Sequence, residues 1–206
     1  MHNLFVLKKH LGIAALFIAL LSFNICCTGG YSRIPEKFYP EEIIKAVKPD
    51  KNYIYWAFCR WPADKDTIIY SRGKRPNGLK LDPPLLGTLY QGCMPAWCFN
   101  YVITVKDGRT TFITTKENFG KFLGTIENLE EAVLLATATQ DLGIDENNRK
   151  GGAYMTTANG YNLHLMHYTS CPESRESVLI KIDKDKGVLQ KTKLDAYYKG
   201  KDCIVY

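Results

Sequence analysis

The simplest nucleophilic machinery this chain offers is Cys59 with His164 or His167 as its base. A cysteine attacks as the thiolate, so it needs a neighbouring base or positive charge. The local sequence argues against that role. Cys59 sits in Tyr53-Ile54-Tyr55-Trp56-Ala57-Phe58-Cys59-Arg60-Trp61, an aromatic run that suits a core thiol or a disulfide. The Asp-Cys-Ser-Gly-like nucleophile motif of cell-wall cysteine peptidases is absent.

Other matches to reactive patterns are incomplete. Ser71-Arg72-Gly73-Lys74 fits the Ser-x-x-Lys of penicillin-binding enzymes, but the Lys-Thr-Gly partner is missing and Lys191-Thr192-Lys193 does not replace it. His164 and His167, three apart on a strand, point to opposite faces and have no Cys-x-x-Cys companion, which argues against a zinc site. Asp183-Lys184-Asp185-Lys186-Gly187 lacks the third oxygen ligand and closing glutamate of a calcium loop, and reads as a charged hairpin turn. No phosphate-cradling glycine loop occurs. The sequence therefore assigns no catalytic residue, no metal ligand and no cofactor.

Aromatic abundance is the remaining chemical signal. Trp56, Phe58 and Phe99 read as core. Trp61 and Trp97 lie near loops and are the candidate ligand surface for a glycan, peptide or apolar molecule.

The elements that would position these residues are mostly strands. Pro40 to Lys48 reads as a small helix, with acids at its start and lysines towards its end. Tyr53–Trp61 reads as a buried strand and Thr67–Ser71 as its neighbour, followed by a loop-rich stretch from Arg72 to Pro95. Trp97–Lys106 and Thr110–Thr115 flank Asp107-Gly108, a hairpin signal because the tight turn needs positive φ at both positions. Thr114 with Glu117 resembles a capping box for a short helix stopping near Gly124. Asn128 with Glu131 caps a longer helix, Leu129 to about Leu142, whose apolar residues are too widely spread for an exposed element. After a polar loop, Tyr154–Thr157, Tyr161–Ser170, Val178–Asp183 and Val188–Leu194 form a meander. The expected fold is α+β: an antiparallel sheet with a C-terminal meander and two or three helices, one largely buried.

The N-terminus carries the address. Lys8 and Lys9 precede a charge-free run from Leu11 to Phe23, 13 residues long. That length suits a secretory signal and falls short of the ~20 residues of a spanning helix. The run ends at Asn24-Ile25-Cys26-Cys27. A bacterial lipobox needs a small residue before the acylated cysteine, and Cys26 provides one before Cys27. Asn24 and Ile25 depart from the common pattern. Residues 1–27 thus read as a signal ending at the lipidation site Cys27, 28–40 as tether and entry segment, and 41–206 as a single α+β domain.

Removing the signal takes away two lysines, so the net charge falls from +6 to +4. The basic patches Arg72-Gly73-Lys74-Arg75 and Lys199-Gly200-Lys201 are short. The absence of a long basic stripe argues against nucleic acid as a partner. The chain has seven cysteines. Without Cys26 and Cys27, five remain, an odd number in an oxidising compartment. Cys93 with Cys98 and Cys171 with Cys203 are the disulfide candidates. Loop entropy gives about 3–4 kcal/mol for the longer loop and about 2 for the shorter. Pairing of Cys59 with Cys93 or Cys98 is the alternative.

Phe122-Leu123-Gly124-Thr125-Ile126-Glu127-Asn128-Leu129-Glu130-Glu131-Ala132, the stretch from Tyr161 to Cys171-Pro172, and Tyr198-Lys199-Gly200-Lys201-Asp202-Cys203 carry a resemblance. They look like small Bacteroidota-type lipoproteins built on a domain of unknown function, and the loose lipobox suits that group. The resemblance implies lipidation and supplies no activity. The expectation is a non-catalytic lipoprotein domain, exported and held in the bacterial cell envelope by N-terminal acyl chains such as palmitate. Its partners would be the membrane and an envelope protein or small ligand. The competing reading is an envelope hydrolase built around Cys59; a cleft holding Cys59 beside either histidine would favour it.

Overall fold

The computed structural model describes residues 30–36, 40–49, 52–60, 68–82, 87, 89 and 101–204. The signal segment, Cys27, Cys93, Cys98, Trp61 and Trp97 lie outside the described residues. Among the described residues, no helix is long and apolar enough to cross a membrane.

Two antiparallel sheets dominate, which fits the α+β class. Strand β1 (Ser32–Arg33) is followed by helix α1 (Pro40–Lys45), then β2 (Tyr55–Cys59), β3 (Ile68–Gly73), β4 (Tyr101–Lys106) and β5 (Arg109–Ile113). Helices α2 (Lys116–Leu123) and α3 (Leu129–Gln140) lead into β6 (Gly152–Thr157), β7 (Gly160–Ser170), β8 (Glu173–Asp183) and β9 (Gly187–Lys199). One sheet has the order β3-β2-β4-β5, and the other β1-β6-β7-β8-β9.

The helices form a layer that both sheets share. Helix α3 packs on β7, β9, α1 and α2, while α1 meets β3 and α2 meets β5. Trp56, Phe58 and Val102 enter one core with Phe119 and Phe122 of α2 and with Leu163, Val178 and Ile180 of the five-stranded sheet. Phe58 meets Phe119 and Phe122 edge-on at 6.2 and 5.9 Å between ring centroids. Each such buried ring stabilises the fold by about 1.5–3 kcal/mol over an exposed one. The opposite face of β2 and β4 builds a second cluster from Tyr55, Cys59, Tyr101, Ile103 and Val105, against which Leu79 and Leu81 pack.

Local chemistry sets the ends of the elements. Asp107 and Gly108 both adopt positive φ, 51° and 72°, as the hairpin turn requires. Gly160 opens β7 where a Cβ would collide with the Ile182 carbonyl of β8. Helix α2 begins one residue later than the capping-box pattern places it. Its cap is Thr115, whose hydroxyl accepts the Asn118 N–H at 3.3 Å. Helix α3 starts at the expected Asn128 cap but ends at Gln140, because Asp141 takes the left-handed position instead of Gly143. Residues Glu131 to Ala138 are all buried.

Strand lengths differ from the sequence reading. β8 starts five residues before Val178 and β9 runs five residues past Leu194, through polar stretches with weak β-propensity. Ser32–Arg33, within the stretch read as entry segment, pairs with Tyr154 and Ala153 of β6. Ile34 beside it is buried.

Candidate functional site

Cys59 closes β2 and is fully buried and unpaired. Its Sγ donates to the Ala57 carbonyl at 3.8 Å. Burial pushes the thiol up to about 12, so it is protonated at neutral pH. His164 and His167 lie on β7, in the other sheet. The nucleophile and its candidate bases are therefore not brought together.

Each histidine has its own partners. His164 Nδ1 is 3.2 Å from Ser177 Oγ, and its ring meets Tyr31 edge-on at 4.4 Å. Burial lowers its pKa below the ordinary value. His167 Nδ1 lies 3.2 Å from Glu176 Oε2, which also takes Lys193 Nζ at 2.6 Å. Lys193 first, and His167 further, hold the Glu176 carboxyl below its usual range. The Asp183 carboxylate accepts the N–H groups of Asp185 and Lys186, both at 3.0 Å, so the charged turn satisfies itself. Among the described residues, no group of three His, Cys, Asp or Glu side chains converges as a metal site requires.

Cys171 and Cys203 form a disulfide across the end of β8 and β9. Beside it, Glu173 N–H donates to the Asp202 carbonyl and Gly200 N–H to the Glu173 carbonyl. A polar network covers this end. Tyr197 donates its hydroxyl to buried Asp145 at 2.9 Å, and Arg175 lies 3.5 Å from Asp145 and 3.4 Å from Glu173. Arg175 also stands 5.2 Å above the Tyr198 ring. The network fastens the loop after α3 to the sheet.

A concave groove among the described residues lies elsewhere, at the turn end of the β4–β5 hairpin against α2. On the face turned to the helices, β4 carries Val102, Thr104 and Lys106, and β5 carries their opposite partners Ile113, Thr111 and Arg109. The face therefore grades from apolar to hydroxyl to cationic. Thr104, Lys106, Arg109 and Thr111, with Tyr53, Asn118, Lys121 and Phe122, line a groove of about 640 Å³. That volume falls within the range of about 300–1,000 Å³ typical of small-ligand sites. Lys121 is engaged by Glu117. The sequence reading missed this groove, although the signal was present: a two-residue Asp-Gly turn fixes the register, and that register sets Lys106 against Arg109.

No protein family, no curated protein and no solved structure matches the chain. The groove has the equipment to bind, in hydroxyls, an amide, cations and an aromatic ring. Among the described residues that line it, no nucleophile is paired with a base.

Proposed function

We propose that this chain is a non-catalytic binding domain of the bacterial cell envelope, exported by residues 1–27 and held at the membrane by acyl chains on Cys27. The meander β6–β9 and the buried helix α3 are its frame, and the hairpin groove is its binding face for an envelope partner or a small ligand. One observation carries the non-catalytic half: Cys59, the candidate nucleophile, is sealed in an apolar cluster and separated by sheet from both histidines. The signal pattern and the lipoprotein resemblance support the anchored half.

Fractionation combined with native alkylation tests the reading. The exported protein is expected in the membrane fraction, resistant to salt and released by detergent. The Cys59 peptide is expected to escape iodoacetamide at pH 8 until denaturant is added. A protein free in the soluble fraction, or a Cys59 that alkylates in the folded state as fast as an exposed thiol, contradicts it.

A further inference from the structure

Lys106 and Arg109 are direct cross-strand partners, so their side chains leave the hairpin on one face. Like charges set opposite each other on a ladder repel, and a fold has no packing reason to keep them there. Both are exposed, and among the described residues neither makes an ion pair. The charge in the groove is Lys106, Arg109 and Lys121 against Asp107 of the turn. Lys121 is already met by Glu117, so the two hairpin cations are the ones left for an incoming anion.

The rest of the lining narrows the anion's chemistry. Thr111 hydroxyl and Asn118 amide groups sit beside the cations, and the Tyr53 ring lines the same space. Hydroxyl and amide partners suit a polyhydroxylated ligand, and an aromatic face suits a sugar ring. The volume suits one to three sugar units rather than a long polymer. Two cations are too few for a nucleic-acid track.

We infer that the hairpin groove binds an acidic saccharide, its carboxylate or phosphate between Lys106 and Arg109 and its ring against Tyr53. This deepens, and rests on, the reading of the chain as an envelope binding domain. The acid group is the shared chemistry of uronate, sialic-acid and sugar-phosphate ligands, and separate probes distinguish these sources.

The test is calorimetric titration of the mature protein in detergent with tri-galacturonate, sialyllactose and glucose 1-phosphate, each against its neutral counterpart. At least one acidic probe is expected to bind ten-fold or more tighter than its neutral counterpart, and to weaken as salt rises. Lys106→Gln with Arg109→Gln, exposed changes that leave the core intact, is expected to remove that preference. No binding of any of the three, equal binding of the neutral sugar, an unchanged double variant, or inorganic phosphate alone binding as tightly overturns the proposal. Such a failure leaves the fractionation and alkylation results untouched, so the groove's ligand and the anchored-domain reading fail separately.

Discussion

Lys106 and Arg109 face each other across the β4–β5 ladder with no carboxylate pairing with either among the described residues. The arrangement predicts that reversing one charge stabilises the unliganded domain. Lys106→Glu is expected to gain about 0.2–1 kcal/mol in urea unfolding, because a repulsive cross-strand pair becomes attractive. The gain should shrink at high salt, since both side chains are exposed. A destabilised or unchanged variant at low salt contradicts the repulsion.

Glu131 joins segments far apart in sequence. Its carboxylate accepts the N–H of Lys48 at 2.8 Å and that of Glu127 at 2.8 Å, while its own N–H donates to the Asn128 cap at 2.8 Å. Glu131→Ala leaves two donors without their acceptor and is expected to cost about 2–4 kcal/mol in chemical denaturation.

The same residue gives a pH dependence with a definite sign. Burial raises the Glu131 pKa above the ordinary carboxylate value, against the opposing pull of the backbone N–H groups of Lys48, Glu127 and Asn128. A folded-state pKa above the unfolded one contributes stability that is fully present below the unfolded value and lost as pH rises through the folded one. Glu131→Gln is therefore expected to lose more, relative to the parent, at pH 4.5 than at pH 8. Urea midpoints at the two pH values check it, and the opposite order contradicts the burial argument.

Tyr197 and Gly151 meet at the Asp145 network. The Tyr197 hydroxyl bonds to Asp145, and a Cβ on Gly151 would clash with that hydroxyl first and with Asp145 Cβ next. Tyr197→Phe is expected to cost about 1.5–3 kcal/mol, as a hydrogen bond to a charged group is lost. Adding Gly151→Ala to Tyr197→Phe should cost less than Gly151→Ala alone, because the closest clash is gone while that with Asp145 Cβ remains. A double-mutant cycle measures this coupling, and strict additivity contradicts it.

The Cys171–Cys203 disulfide spans 32 residues. Loop entropy predicts that Cys171→Ser with Cys203→Ser loses about 3–4 kcal/mol. Thermal unfolding of the double variant against the oxidised parent provides the check.

What the sequence made legible follows local rules. Asp107-Gly108 announced its hairpin because only certain residues tolerate positive φ, and Asn128 announced the start of α3 because its side chain can satisfy a free N–H. The polar strand ends were not legible. Glu173 to Ser177 and Asp195 to Lys199 extend β8 and β9 through tertiary partners, Asp145 and the disulfide among them, rather than through β-propensity. The buried setting of Cys59 was legible from its aromatic neighbours. The groove needed register, burial and α2 together, and only the register could be read from residue types. Trp61 and Trp97, the candidate ligand surface, lie outside the described residues.

The most direct measurement of the central claim is the mass of the mature N-terminal peptide, from protein isolated out of the envelope. The expected peptide begins at Cys27 and carries acyl chains. An unmodified N-terminus at a residue other than Cys26 or Cys27 contradicts it.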